Sequence, residues 1–345
     1  MRRHVPGFVL ALAGALVLAL APLSAQATAC TGRDLMAGLS PDERAGLRAA
    51  VDAVPHARGL FWRAEKDGAR ITLIGTYHFG DERHDAIADR FAPEIAGADA
   101  LLVEAGPEEE AALAAALAEN PTLMLEPEGP TLPERLSEAE WQRLSGALAE
   151  RGIPAVVASR MRPWYVATML GLSPCMLQEA AARGGETGGL DHKLIERALA
   201  ADIPVRALEP HDTVLRVFGD MTGDEELDMI RAALPAAEHA DDYATTLIEA
   251  YFAEDAWMLW EFGRHDAYEN SGLTRAAVDA QMTLAKRELM DERNAAWMAP
   301  LTAAAEDAAA RGKGVVAGFG ALHLPGEQGV LRLLERDGWT VSRIE

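Results

Sequence analysis

Two stretches of this 345-residue sequence carry the same reactive pattern. One runs Ile71-Thr-Leu-Ile-Gly75-Thr-Tyr-His78-Phe-Gly80-Asp-Glu82 and the other Val315-Val-Ala-Gly-Phe-Gly320-Ala-Leu-His323-Leu-Pro-Gly326-Glu327. Each is an apolar run, a Gly-x-x-His, an apolar residue, a glycine, and an acid where a helix would open. Each helix then leads back into another strand, as one supersecondary unit used twice would. Both histidines are expected at the carboxyl ends of strands, the edge of an open α/β sheet where ligands bind. Glu104 closes the apolar run that starts at Ala100, and Glu209 closes the one that starts at Pro204, so both carboxylates are expected on that edge too.

Two imidazoles with one or two carboxylates suit a divalent ion such as manganese, zinc or cobalt. His78 and His323, with Glu104, Glu209 or both, are the candidate ligands. With an open coordination position, such an ion makes water acidic enough to act as a nucleophile at neutral pH. A spare carboxylate, Glu104 or Glu209, would be the general base. A single Gly-x-x-His carries little weight, because a strand-end histidine is commonly structural. The argument rests on two copies in matched contexts at opposite ends of the chain. There is no His-Glu-x-x-His zinc helix and no Gly-x-Ser-x-Gly nucleophile elbow. His84, close behind His78, reads as a surface residue.

The elements that must position these groups follow from periodicity. Leu39 to Val54 reads as an amphipathic helix, with Ser40 as N-cap and Pro41 at its first position. Gly59–Ala64 and Arg70–Ile74 read as strands joined by a Lys66-Asp67-Gly68 turn. Helices are expected at Asp81–Ile95, Glu108–Glu119, Pro133–Arg151, in a longer piece from Pro163, and at Leu190–Ala200. Arg162-Pro163-Trp164 reads as a helix start with a core tryptophan, and the glycine-rich Arg183–Gly189 as a connection. From about 211 to 311 the pattern is helical throughout. Gly314–Phe319 and Thr340–Ile344 are strands, with a helix at Glu327–Arg336 between them. The expected class is α/β, a mainly parallel central sheet flanked by helices. Its sheet units lie at about 58–105 and 312–345, with a large helical insertion at about 107–311.

The N-terminus reads as an export signal. Arg2 and Arg3 precede an apolar run from Phe8 to Leu20, and Ala25-Gln-Ala27 and Ala27-Thr-Ala29 fit small-x-small cleavage. The run is short of the roughly 20 residues that span a bilayer, which favours a cleaved signal over a retained anchor. Residues 1–29 are therefore expected to be removed, leaving a domain from 30 to 345 in the periplasm or outside the cell, with no membrane span. Ala27 stands where a lipoprotein signal wants a large aliphatic residue, so lipidation at Cys30 is not favoured. The two cysteines, Cys30 and Cys175, leave two readings open: a disulfide, or a buried Cys175 beside a free Cys30. The net charge of −22 argues against nucleic acid as a partner, since that binding rests on clustered Lys and Arg.

Several blocks together resemble the TraB/GumN family. They are Gly75-Thr-Tyr-His78, the Glu104 strand, Gly189-Leu-Asp191, Ala207-Leu-Glu209, Arg293-Asn294 with Trp297, and Gly320-Ala-Leu-His323-Leu-Pro-Gly326 with the tail that follows. The resemblance runs from about residue 58 to the C-terminus. It implies a relation to the TIKI metal-dependent proteases and, more distantly, to the erythromycin esterase and ChaN haem-binding groups. It also implies a shared site of His78, Glu104 and His323, supported by Glu209 and Arg293. Arg293 would stabilise a developing oxyanion, or else form a salt bridge on its helix. The sequence departs from the family at Tyr77 and at His211-Asp212. The leading expectation is an exported metal-dependent hydrolase acting on a peptide or protein. The alternatives are a non-catalytic haem- or metal-binding protein and an accessory protein of cell-envelope polysaccharide export.

Overall fold

The computed structural model describes residues 30, 32–182, 188–219 and 223–345. The segment read as an export signal, and residues 183–187 of the glycine-rich connection, lie outside the described residues. A six-stranded mixed sheet organises the fold, in the order β4-β3-β5-β2-β1-β6. Strands β1 (Phe61–Lys66) and β2 (Ala69–Thr76) form an antiparallel hairpin. Its turn residues Asp67 and Gly68 both take positive φ, 49° and 86°. That is the backbone a two-residue hairpin needs, and Asp-Gly supplies it at low cost. Then come β3 (Leu101–Val103), β4 (Val205–Ala207), β5 (Val315–Gly320) and β6 (Thr340–Arg343).

Strands β4, β3, β5 and β2 run parallel to one another. The expected parallel character holds for these four and stops there, because β1 pairs antiparallel with both β2 and β6. The reason is the tight Asp-Gly turn, which can only join antiparallel neighbours. Every residue of β3 and β5 is buried, as central parallel strands covered on both faces should be. Side chains alternate between two cores. Ile71, Leu73, Leu102, Ala317 and Phe319 pack under Trp297, Leu301 and Leu334. Ile74, Leu101, Val103 and Val316 pack under Phe91, Ile95, Leu194 and Ala198. Helices Glu292–Ala309 and Val330–Arg336 thus cover one face, and Arg83–Gly97 and Leu190–Ala200 the other.

Helix Arg83–Gly97 corrects one expectation. His84, read as a surface residue, is fully buried. It shares a stripe with Ala88, Phe91 and Ile95, at the i, i+4, i+7 and i+11 spacing that defines a core face. Its ring lies 5.2 Å from Phe252 and 5.8 Å from Tyr251, and burial pushes its pKa down to about 4.

The central segment builds a separate helical layer. Its core gathers Leu132, Leu144, Leu148, Trp164, Leu170, Phe218 and Ile230. Trp164 stacks on Phe218 at 5.0 Å, as its core reading required. The long helix expected from Pro163 ends at Leu170, and Gly171 caps it. The helix expected over Pro133–Arg151 divides into Leu132–Arg135 and Glu138–Glu150. The break falls where Ser137 leaves the helix to cap the second piece in a reciprocal box with Glu140. Ser40 and Glu43 do the same for Pro41–Asp52. Cys30 and Cys175 form a disulfide, the first of the two readings their sequence left open. Beside it, Leu35 N–H donates to Thr246 Oγ1 at 2.8 Å, laying the start of the described chain along helix Ala240–Phe252. No helix among the described residues is long and apolar enough to cross a membrane.

Candidate functional site

The sheet register fixes where the chemistry collects. Thr76 stands opposite Gly320, and Val103 is flanked by Gly318 on one side and Ala207 on the other. The chain leaves all four parallel strands at the same edge, within a few residues of His78, Glu104, Glu209 and His323. Arg293 enters from the first turn of helix Glu292–Ala309, just past a π-turn at Arg287–Asp291. Such turns often accompany functional positions, because the extra residue re-aims the side chains after it.

Arg293 is the hub. Its Nη2 donates to Glu104 Oε2 at 2.6 Å and to Glu209 Oε1 at 2.8 Å, and its Nε donates to Glu209 Oε2 at 2.9 Å. Nη1 donates to the Leu289 carbonyl at 3.0 Å and stands 3.4 Å from His323 Nε2. Desolvation opposes its charge, but Glu104 and Glu209 outweigh it and raise the pKa further. Trp297 Nε1 also donates to Glu209 Oε2, at 3.0 Å. Both oxygens of Glu209 are therefore committed to holding Arg293. Of the two readings of Arg293, the salt bridge is present, and it joins three elements rather than lying along one helix.

Glu104 accepts a second hydrogen bond on Oε1, from the Gly320 N–H at 2.6 Å, and the same oxygen lies 3.8 Å from His323 Nε2. Burial alone would raise its pKa. The facing His323 and Arg293, then His78 and the Gly320 N–H, hold its carboxyl well below the usual carboxylate range. His323 is buried, its ring 4.4 Å from Trp297, and this desolvation drives its pKa down to about 3. The resting pair is ionised Glu104 with neutral His323. Asn294 fixes the tautomer. Its Nδ2 donates to the Gln328 carbonyl at 2.9 Å, leaving its Oδ1 2.6 Å from His323 Nδ1. The ring proton therefore sits on Nδ1, and the Nε2 lone pair faces Glu104 and Arg293.

His78 differs. Its side chain keeps 54% of its surface in solvent, and its Nδ1 lies 3.4 Å from Asp191 Oδ1. Desolvation works against the charged ring, but Asp191 and, beyond it, Glu104 prevail and raise its pKa to about 9. The three candidate ligands meet at Gly320. A Cβ there would lie 3.1 Å from Glu104 Oε1, 3.4 Å from His78 Nε2 and 3.5 Å from His323 Cδ2. Glycine leaves a cradle lined by two imidazoles and a carboxylate, a donor set that suits a divalent ion. His78, Glu104 and His323 stand wider apart than a closed coordination sphere. Among the described residues, Cys30, Cys175 and Glu179 form the one trio whose ligand atoms all lie within 4.8 Å of one another, and the disulfide occupies both sulfurs.

The structure thus brings His323, Glu104, Arg293 and Glu209 into one hydrogen-bonded group and sets His78 across Gly320 from it. No role for Asn294, the Gly320 N–H or Asp191 was legible in the sequence. Asn294 and Asp191 lay inside quoted motifs, but a tautomer lock or a carboxylate partner shows itself only once separate helices meet.

A sheet whose carboxyl edge gathers a partly buried glutamate, an arginine and two strand-end histidines defines an α/β protein with a polar, charge-balanced edge site. Residues 60–343 match the TraB/PrgY/gumN family, and the chain belongs to that family. It is 27% identical over 262 residues to "Uncharacterized protein YbaP" of Escherichia coli (strain K12), covering 76% of this chain and 86% of that protein. The YbaP protein of Shigella flexneri gives the same figures.

Proposed function

We propose that this protein is a metal-dependent hydrolase of peptide bonds, working outside the cytosol. The observation that carries the reading is the Gly320 cradle, where His78 Nε2, Glu104 Oε1 and the His323 ring converge. His323 offers a neutral nitrogen with its lone pair aimed inward, and His78 and Glu104 would complete the set. A divalent ion bound there, manganese, zinc or cobalt, supplies the positive charge that acidifies water and polarises a carbonyl. Of the two carboxylates read as general bases, Glu104 is the one whose Oε1 faces the cradle; the oxygens of both already accept hydrogen bonds, so for Glu104 to take up a proton the Gly320 N–H or Arg293 would have to give way. Arg293 carries a permanent charge at the same edge, suited to the oxygen that gains negative charge as a peptide carbonyl is attacked. The disulfide supports an oxidising compartment, hence the export read from the sequence.

The test is hydrolysis of a fluorogenic peptide library by chelator-stripped protein, before and after adding Mn²⁺, Zn²⁺ or Co²⁺. Activity should require the ion and fall at least about 100-fold in Glu104→Gln, the scale of losing a general base. Turnover that survives both the chelator and Glu104→Gln would sink the proposal. Turnover that survives the chelator but dies in Glu104→Gln would reject the ion and leave a metal-free reaction that depends on Glu104.

A further inference from the structure

A second polar chain leads away from His78 on the side opposite Glu104. Asp191 Oδ1 stands 3.4 Å from His78 Nδ1, Asp191 Oδ2 stands 3.3 Å from His192 Nδ1, and His192 Nε2 stands 3.3 Å from Glu110 Oε1. Asp191 Oδ1 is buried, and no donor among the described residues reaches hydrogen-bond geometry with it. A buried carboxylate oxygen without a donor is costly, so a cation or N–H aimed at it is what the arrangement calls for. The group in place to supply that N–H is the His78 ring.

The backbone holds this pairing in register. Leu190 N–H donates to the Tyr77 carbonyl at 3.0 Å, and Phe79 forms an antiparallel bridge with Gly188. A Cβ on Gly189 would fall 2.5 Å from the His78 carbonyl carbon and oxygen and 2.7 Å from Asp191 Oδ1. Only glycine lets the start of helix Leu190–Ala200 lie directly on the His78 backbone. The loop bearing His78 and the helix bearing Asp191 are therefore held directly against each other.

We infer that Asp191 is the positioning residue for His78: its carboxylate captures Nδ1, so that Nε2 is the nitrogen presented to the Gly320 cradle. His192 and Glu110 steady Asp191 from behind. The inference rests on the site proposed above, in which His78 Nε2 is a ligand. Partners of this kind orient ligand histidines and strengthen them as donors, and their loss typically weakens metal binding by 10–100-fold. His78 and His323 would each have an orienting residue, Asp191 from one helix and Asn294 from another. The anionic partner makes His78 the stronger donor of the two.

The test uses the whole mature chain labelled with ¹⁵N-histidine and stripped of metal. His78 signals are assigned by their disappearance in His78→Gln. A long-range ¹H–¹⁵N spectrum of the wild type should show a downfield, exchange-protected Nδ1 proton on His78. Asp191→Asn should lose that protection, leave the His323 signals in place, and bind Mn²⁺ about 10–100-fold more weakly by calorimetry. An unchanged His78 pattern in a folded Asp191→Asn protein would overturn the inference. So would the lack of a protected Nδ1 proton in the wild type, which keeps the claim testable if the variant does not fold. A wild type with the expected His78 signal but no affinity for Mn²⁺ would retain Asp191's role and reject the metal reading.

Discussion

His323 shows 6% of its side chain to solvent and donates its Nδ1–H to Asn294 Oδ1, while His78, in the same motif on the neighbouring strand, shows 54% and faces Asp191. Burial takes the first down to about 3; a carboxylate takes the second up to about 9. The two turns share the Gly-x-x-His pattern and their strands are in register, so the motif itself does not set the electrostatics. The difference comes from what the rest of the chain lays against each turn: Trp297, Asn294 and Arg293 on one, Asp191 on the other. A repeated motif can thus supply two unlike groups to one site, one a neutral lone pair and one a ring that is charged in metal-free protein and would give up its Nε2 proton to a bound ion.

The largest effect that would sharpen this contrast is at Arg293. Arg293→Met leaves Glu104 and Glu209 facing each other with no cation between them. Removing one partner from a buried ion network typically costs about 3–5 kcal/mol. Urea unfolding should show a loss of that order, and a change below about 1 kcal/mol would mean that the network does not anchor the His323 side. The matched glycines come next. A Cβ on Gly75 would lie 2.7 Å from Leu324 Cδ1 and 3.1 Å from Ala321 Cα, so Gly75→Ala strains packed core and should cost about 1–3 kcal/mol. On Gly320 the same Cβ meets Glu104, His78 and His323 instead. Gly320→Ala should abolish metal retention at a smaller stability cost. If both variants lose stability alike and both keep metal, the two turns do not divide structure from site in this way.

Asn294→Ala should cost about 1–3 kcal/mol by stranding the His323 Nδ1–H and the Gln328 carbonyl, again read from urea unfolding. The gentlest probe is pH. His323 has its pKa lowered from 6.5, so its contribution is complete above about 6.5 and is lost as pH falls towards 3. Its slope is at most about 1.4 kcal/mol per pH unit. His78 has its pKa raised from 6.5, so its contribution is complete below about 6.5 and is lost as pH rises through 9. In metal-free protein, His323→Gln should flatten the acid limb of stability against pH, and His78→Gln the alkaline limb. Identical effects from the two variants would erase the contrast.

Much of this was legible in the sequence, for physical reasons. Strand-end placement of His78, Glu104, Glu209 and His323 followed from apolar runs that stop at a polar residue, and the sheet register bears the placement out. The Asp67-Gly68 turn and the Ser40 cap were legible because backbone geometry restricts which residues serve there. The burial of His84 was legible as well, in its i+4 and i+7 partners Ala88 and Phe91, which the surface reading passed over. Some features were not legible. Asn294 and His323 are 29 positions apart, and Asp191 and His78 are 113 apart by their numbers, so no local periodicity links them. The antiparallel edge at β6 depends on the last strand choosing β1 rather than β2, which a short, largely exposed segment does not announce.

The central claim is that two unlike histidines and Glu104 hold one ion. The direct measurement is the metal content of purified protein after exposure to mixed divalent ions and desalting, beside His78→Ala, His323→Ala and Glu104→Gln. The account predicts about one ion per wild-type chain and a sharp loss in each variant, as a shared ligand set requires. A folded wild type that retains no ion, or variants that retain as much as it does, would contradict it.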